Sequence, residues 1–273
     1  MALRLTYRVK TAVPVEVEGF TPEWACDKSR REIEHFEIFH GNQKLPLAEM
    51  FAVTGDPSDR QFEFEGDLAG VHWIGAQMVA GIIRVQGNVG RHLGSEMQGG
   101  EIVVEGNAGG WVGMHMHRGL IRIKGNAGHL VGAAYRGSLK GMTGGMILVD
   151  GNAGDEIGLA MRRGLIAIAG SAGDMLGVSM IAGSVLVFGK CGQRPGAGMR
   201  RGTLGIFGPN PPQLLPSFRY AATYQPQIVP VLLRTLTDQG FPVQTNLFSS
   251  QYDLYHGDLI SVGRGEILIP NVN

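Results

Sequence analysis

A short glycine-rich unit repeats along residues 66–208 and limits the folds open to this chain more than any other feature. The unit reads Gly-Asn-Ala-Gly-x-x-aliphatic-Gly-x-x-Met-x-x-Gly-x-aliphatic-x-aliphatic-x, as in residues 106–124. Successive units begin about 19 residues apart, with one longer step of about 26, and repeats this short are typical of solenoids. The units begin at Gly66, Gly87, Gly106, Gly125, Gly151, Gly170 and Gly189, and an eighth stops at Gly208.

Two aliphatic columns appear when the units are stacked, and they predict one strand per unit. The columns are separated by one variable position, which is the alternation of a strand, and many of their members are β-branched. We expect both columns to face inward. The first column is Ile83, Ile102, Ile121, Ile147, Ile166, Val185 and Leu204, and the second is Val85, Val104, Ile123, Val149, Ile168, Val187 and Ile206.

Three further columns supply the rest of a narrow interior, and recurring glycines suit the corners between strands. We therefore predict a mainly β chain that forms a single-stranded β-helix of about seven coils with capping segments at both ends. The columns are Ile74, Leu93, Val112, Val131, Ile157, Leu176 and Pro195; then Ala108, Ala127, Ala153, Ala172 and Cys191; then Met78, Met97, Met116, Tyr135, Met161, Met180 and Met199.

Composition changes divide the chain into three predicted parts. Residues 1–60 form an N-terminal α+β cap, in which Ser29 and Glu32 suit a helix capping box. Residues 61–208 form the glycine-rich β-helix. Residues 209–273 form a C-terminal tail with one helix over 227–239 and a hairpin over 258–269, whose turn lies at the Gly-Arg-Gly of 263–265.

The outward-facing column between the two aliphatic columns changes character along the repeats. It begins with Arg84, Val103 and Arg122 and becomes apolar from about Leu148 onward. A monomer seldom exposes such a face over several coils, so either the C-terminal helix or a partner protein should cover it. We favour the C-terminal helix, because solenoids usually carry caps.

The overall composition describes a soluble globular protein, with 44% hydrophobic and 18% charged residues. Lys+Arg and Asp+Glu number 24 each, so no net field favours nucleic acid or an anionic membrane. The cysteines are Cys26 and Cys191, too few for a disulfide framework. With no signal peptide and no apolar run long enough for a membrane span, a cytoplasmic location is expected.

The sequence contains no pattern that indicates a catalytic residue. No Ser-His-Asp or Cys-His arrangement can be assembled from spacing, and no carboxylate pair recurs in the repeat. His115 and His117 have a spacing that metals can use, but Met116 belongs to an inward column and no third ligand is indicated. We therefore predict surface histidines, with no catalytic and no metal site.

Cations gather at the corner that follows the methionine column, and this is the strongest functional signal among the residues. The corner holds Arg118, Arg136, Arg162, Arg163, Arg200 and Arg201. The long repeat adds residues 137–143, including Lys140, and such insertions often carry a binding loop. Either the corner is a solvated face, or an anion or partner carboxylates compensate it.

The Gly-Asn-Ala-Gly units at 106–109, 125–128 and 151–154 resemble a glycine-rich β-helix of two protein families. These are the C subunit of formylmethanofuran dehydrogenase and the C-terminal domain of the glutamate synthase large subunit. Residues 35–56 and 263–267 resemble the stand-alone C subunit, and a length of 273 residues also favours it. The resemblance implies a right-handed β-helix and a subunit whose complex has its active sites elsewhere.

The partners implied by the resemblance are an amidohydrolase-like A subunit, a B subunit that resembles molybdenum or tungsten enzymes, and a formyltransferase D subunit. In the bacterial formyltransferase/hydrolase complex, a formyl group moves from a tetrahydropterin to a methanofuran-type carrier and is hydrolysed to formate. Rare lysine beside abundant arginine leans towards this version over the dehydrogenase. The alternatives are a subunit of a molybdenum or tungsten dehydrogenase and a glutamate-synthase-like spacer.

The same resemblance suggests a ligand for the basic corner. We expect the chain to bind no cofactor alone, while the complex holds a carrier with a polyglutamate tail. The carboxylates of the tail match guanidinium forks. The alternative is a purely structural module whose cations bind partner carboxylates. The candidate binding residues are Arg118, Arg136, Lys140, Arg162 and Arg163.

Overall fold

The computed structural model describes residues 2–271, and the chain is mainly β. Thirteen strands form one mixed sheet in the order β15-β16-β17-β14-β13-β12-β11-β10-β9-β8-β6-β1-β5, and four form a second sheet in the order β4-β3-β2-β7. The elements are β1 (Leu3–Tyr7), β2 (Val15–Glu16), α1 (Pro22–Ala25), α2 (Arg30–Glu34), β3 (Glu37–His40), β4 (Gln43–Pro46), α3 (Leu47–Met50), β5 (Phe51–Thr54), β6 (Gln61–Glu65), β7 (Val71–His72), β8 (Ile82–Val85), β9 (Glu101–Val104), β10 (Leu120–Ile123), β11 (Met146–Val149), β12 (Leu165–Ile168), β13 (Ser184–Val187), β14 (Arg201–Ile206), β15 (Arg219–Tyr224), α4 (Ile228–Asp238), a 3-10 helix (Thr245–Phe248), β16 (Tyr252–Gly257) and β17 (Arg264–Pro270).

The repeat places like residues side by side in parallel strands. In β8, β9 and β10, Ile83, Ile102 and Ile121 are direct neighbours, and the same register continues to β14. The small-residue column pairs separately through single parallel bridges. These bridges join Leu68, Val89, Ala108, Ala127, Ala153, Ala172 and Cys191 in succession.

The interior consists of the predicted columns. Both aliphatic columns are fully buried, as are the methionines of the third. Glycine is required where the chain turns beside this core: Gly75 has a φ of +66°, and a Cβ there would lie 2.5 Å from the Cδ1 of Ile102. The predicted inward columns are confirmed, with one exception.

The exception lies in the long repeat, where the prediction placed Tyr135 in the methionine column. Met142 takes that place: its N–H donates to the Gly132 carbonyl, and its side chain is fully buried. The next residue, Thr143, donates to the Met116 carbonyl in the usual repeat pattern. The extra residues are therefore 135–141, called the insert loop here, and the predicted boundary of 137–143 was wrong.

The N-terminal part extends the large sheet and carries the short helices. Strand β1 pairs in parallel with β6 and antiparallel with β5. The capping box predicted at α2 is confirmed, since the Ser29 hydroxyl accepts from the Glu32 N–H and the Glu32 carboxylate accepts from the Ser29 N–H.

In the C-terminal part, the predicted helix is confirmed as α4, but the hairpin is shifted. Its arms are β16 and β17, joined by residues 258–263, called the hairpin turn here. The predicted first arm, with Leu259, Ile260 and Val262, lies in this turn and is exposed. Tyr252 and Leu254 form the buried arm instead, because they can pack against the sheet.

Helix α4 covers the apolar end of the outward face, as expected. Val229, Leu233 and Leu236 pack into one cluster with the outward side chains of the repeat strands. The covered side chains are Leu148, Ala167, Leu186, Phe188 and Phe207. At 11 residues α4 is the longest helix of residues 2–271, and none of the helices there could span a bilayer.

Candidate functional site

The repeat positions after the methionine column build a basic corner, defined here by Arg118, Arg162, Arg163, Arg200 and Arg201. These arginines occupy the two places between a buried methionine and a glycine with positive φ, where the chain turns, and their side chains are exposed. Arg118, Arg162 and Arg163 line one open cleft of about 500 Å³ with His117 and Thr143. The structure therefore brings three of the five predicted cations together.

A second cleft continues the basic corner along the repeats. Arg162 and Arg163 also line a cleft of about 380 Å³, together with Arg200 and Arg201. Because two arginines are shared, the clefts form a continuous cationic track across neighbouring repeats, whose strands are spaced by about 4.8 Å.

The insert loop holds the other two predicted cations. Arg136 lines a different cleft of about 380 Å³, in which it faces the same space as Arg200. Lys140 is exposed, and its N–H donates to the Ser138 hydroxyl. Arg136 therefore adjoins the corner through Arg200 but does not line the cleft of Arg118, Arg162 and Arg163, and neither does Lys140.

The guanidinium groups of the basic corner lack acidic partners within residues 2–271. Ion pairs form elsewhere on the described chain, for example Arg4 with Glu63 and Arg122 with Asp150. None of the ion pairs among residues 2–271 includes an arginine of the basic corner. No carboxylate oxygen of those residues lies within 4.0 Å of a guanidinium nitrogen of the corner. An excess of positive charge at concave clefts attracts anions.

The two histidines beside the corner have separate roles. His115 Nε2 accepts the Tyr135 N–H at 3.1 Å, which ties the insert loop to the preceding repeat, and burial lowers the pKa of His115. His117 Nδ1 lies 2.8 Å from the Thr143 hydroxyl in the first cleft. Within residues 2–271, no group of three or more His, Cys, Asp or Glu side chains is arranged to bind a metal.

An aromatic stack on the early repeats was not among the predicted features. The ring centroids of Trp73 and His92 are 4.0 Å apart and those of His92 and Trp111 are 5.2 Å apart, with planes within 7° of parallel. Burial lowers the pKa of His92 to about 4, with a smaller contribution from the Arg91 charge. The signal was present in the sequence as one repeat position, just before the Ile74 column, that is aromatic in three successive units.

One solved structure matches the chain over nearly its whole length. It is a chain of the formyltransferase/hydrolase complex (FhcABCD) from Methylorubrum extorquens, solved in complex with methylofuran. The match has a TM-score of 0.91 and 35% sequence identity, and covers 98% of this chain and 100% of that chain. The chain belongs to the C-subunit family of formylmethanofuran dehydrogenases and formyltransferase/hydrolase complexes.

Curated members of this C-subunit family match over shorter segments. The C subunit of the tungsten-containing formylmethanofuran dehydrogenase 2 of Methanothermobacter wolfeii is 40% identical over 93 residues, which is 33% of this chain and 34% of that protein. The C subunit of the molybdenum-containing formylmethanofuran dehydrogenase 1 of Methanosarcina barkeri is 36% identical over 90 residues, covering 31% and 30%. The chain thus spans about a third of the length of these curated relatives, and no family model matches it.

Proposed function

We propose that this chain is the non-catalytic scaffold subunit of a multisubunit one-carbon complex. The complex transfers a formyl group between tetrahydromethanopterin and a methanofuran-type carrier and hydrolyses it to formate. Its partners are the amidohydrolase-like A subunit, the B subunit and the formyltransferase D subunit. The observation that carries this proposal is the match of 98% of the chain to a chain of such a complex.

The assembly can be tested by purifying the tagged chain from its native host and identifying the proteins that come with it by mass spectrometry. We expect the A, B and D subunits, without molybdopterin, tungsten or iron-sulfur centres. Redox centres in the purified complex would instead support a formylmethanofuran dehydrogenase, the alternative favoured by the curated relatives. A chain that purifies alone would contradict the scaffold role. A cytoplasmic location remains a prediction.

We also infer that the repeat region is a right-handed, single-stranded β-helix of about seven coils, with residues 1–60 and 209–273 as its caps. Two separate parallel ladders support the coiling, one through the aliphatic column and one through the alanine column. Both step by one repeat at a time, as successive coils of a solenoid do. Rigid coils suit a subunit that holds others at fixed positions.

Within this complex, we propose that Arg118, Arg162 and Arg163 of the basic corner hold the polyglutamate tail of the carrier. Arg118, Arg162 and Arg163 face one cleft without acidic partners in the described chain, and guanidinium forks match carboxylates in geometry and charge. Arg136 and Lys140, on the insert loop, are the outer candidates. A regular row of cations suits a tail with repeated carboxylates.

Replacing Arg162 and Arg163 together with Gln tests the tail site. We expect the assembled complex to retain at least tenfold less carrier after gel filtration, because two charge-assisted contacts are lost. Carrier content is measured by mass spectrometry. The control pair is Arg30→Gln with Arg31→Gln, two exposed arginines on α2. Unchanged carrier content would contradict the tail site, whereas a complex that falls apart would show that these arginines bind partner carboxylates.

A further inference from the structure

Two loops beside the basic corner expose large aliphatic side chains. In the insert loop, Leu139 is 85% exposed, and in the hairpin turn Ile260 is 88% exposed. Leu259 and Val262 of the same turn are exposed by 55% and 51%. Single exposed aliphatic residues are common on protein surfaces, but four in two adjacent loops form a patch that marks an interaction site.

The hairpin turn is held in one conformation by hydrogen bonds. The Asp258 carboxylate, which is buried, accepts the N–H groups of Gly198 and Ile260, both at 3.0 Å. The backbone carbonyl of Asp258 accepts the N–H groups of Ser261 and Gly263. The exposed Ile260 side chain is therefore presented on a fixed backbone, which reduces the entropy that binding must overcome.

Both loops border the clefts of the arginines. Val262 lines the cleft that contains Arg200 and Arg201. Ser261 lines the neighbouring cleft, together with Leu139 and Arg136. The aliphatic patch is therefore continuous with a rim of guanidinium groups.

We propose that the insert loop and the hairpin turn form a docking surface for another polypeptide of the complex, one with an apolar pocket and an acidic rim. The proposal rests on the scaffold role proposed above and names the face used. Ile260 and Leu139 would enter the pocket, while Arg200 and Arg201, which lie outside the proposed tail site, would pair with the rim carboxylates. Arginine is enriched among the residues that dominate binding at interfaces. Burial of the aliphatic side chains in the pocket would add a hydrophobic contribution.

The charges of the surface favour a different polypeptide over a second copy of this chain. In a twofold dimer the same patch meets itself, so the arginines of one copy would face those of the other. Like charges brought together in this way cost several kcal/mol. Carboxylates on a different protein remove that cost.

The shape of the surface favours a protein over a lipid bilayer. The arginines line concave clefts of about 380 Å³ that side chains can enter. The formal net charge of the chain is zero, so no overall field draws it towards anionic lipid.

The test uses the double variant Ile260→Asp with Val262→Asp. The matched control is Ile228→Asp with Val231→Asp on α4, where the two side chains are 48% and 53% exposed. Thermal unfolding checks that both variants fold. Each chain is titrated against the assembled A, B and D subunits at low salt, and we expect the hairpin-turn variant to bind at least tenfold more weakly and the control like wild type.

Four other outcomes would each overturn the docking surface. Wild-type affinity in the hairpin-turn variant would do so while leaving the scaffold role intact, since the partners still bind. Failure of the wild-type chain to bind A, B and D would remove the scaffold role and the docking surface together. If anionic phospholipid vesicles co-sedimented with the wild-type chain but not with the hairpin-turn variant, the patch would be a membrane-binding surface. A wild-type dimer that becomes monomeric in the variant would identify a second copy.

Discussion

The chemistry of the basic corner arises from single repeat positions. Arg162 and Arg163, and again Arg200 and Arg201, fill the two places after a buried methionine, whereas the repeat between them has Ile181 and Ala182 there. Two cations about 5 Å apart repel by about 3 kcal/mol at an effective dielectric of 20. Open clefts reduce this cost, and a bound anion removes it.

His92 makes stability depend on pH. Burial between Trp73 and Trp111 and the Arg91 charge lower its pKa from 6.5 in the unfolded chain to about 4 in the folded one. Between these values the unfolded chain binds a proton that the folded chain does not, so stability falls as pH falls from 6.5 towards 4. We expect His92→Phe to reduce this decline, measured by calorimetric Tm across that range.

The control for His92 is His117→Gln, which changes an exposed histidine outside the stack. The Tm of the His117→Gln variant should fall with falling pH as it does in wild type. His72 and His115 also have lowered pKa values through burial, so part of the decline should remain in the His92→Phe variant. If the Tm of the His92→Phe variant fell with pH as steeply as that of wild type, the assignment of this pH dependence to His92 would be contradicted.

Arg122 joins the repeat strands to the end of α4. Its guanidinium pairs with the Asp150 carboxylate at 3.2 Å and donates to the carbonyls of Gln239 and Gly240. Replacing Arg122 with Met leaves these acceptors without their donor at a largely buried position, so unfolding free energy should fall by about 2–3 kcal/mol.

Urea unfolding measures the effect of Arg122→Met, and Arg84→Met is its control. Arg84 occupies the same outward column but is exposed. Its replacement should change the free energy of unfolding by no more than about 0.5 kcal/mol. Equal effects of the two variants would show that Arg122 does not join α4 to the sheet.

The apolar face of helix α4 packs against the apolar part of the outward column of the sheet. The outward residues of β11, β12 and β13 are Leu148, Ala167 and Leu186, and each is buried under the C-terminal part. On β8 the corresponding Arg84 is exposed. The change from polar to apolar therefore marks where the helix cover begins.

Removal of one whole repeat tests the proposed coiling. Deleting residues 87–105 joins Gln86 to Gly106, which holds the same repeat position as Gly87, so every column stays in register. Each coil of a solenoid contacts only its neighbours, and the shortened chain should still unfold cooperatively. Deleting 87–96 instead moves polar residues into inward columns and should abolish cooperative unfolding. Circular dichroism during heating distinguishes the two, and equal melting of both deletions would contradict the coils.

Charge is segregated over the whole molecule although it sums to zero. Arginines without acidic partners in the described chain gather at the basic corner, while other cations such as Arg122 and Lys124 pair with Asp150. The aliphatic loops adjoin the corner, whereas the aromatic stack lies on the earlier repeats. A scaffold needs distinct faces of this kind, because each partner must recognise its own binding face and no other.

Much of the repeat region could be predicted because its pattern is local and repeated. Ile83, Ile102 and Ile121 occupy the same place in three units, so an error in one unit would stand out against the others. The insert loop had no such check, since Tyr135 and Met142 are both apolar and either could follow Gly132. Backbone hydrogen bonds from Met142 to the previous turn decided between them.

The sequence by itself determined the inward columns, the glycine turns, the capping box and the helix at 228–238, since each depends on residues close in the chain or on strict repetition. Only the tertiary structure decided which hairpin residues are exposed, because Tyr252 and Ile260 have similar strand preference and differ in whether the sheet lies beneath them. It also decided that Arg118 and Arg163 share a cleft while Arg136 faces another. Side chains from different repeats meet at distances that are fixed only when the repeats pack against one another.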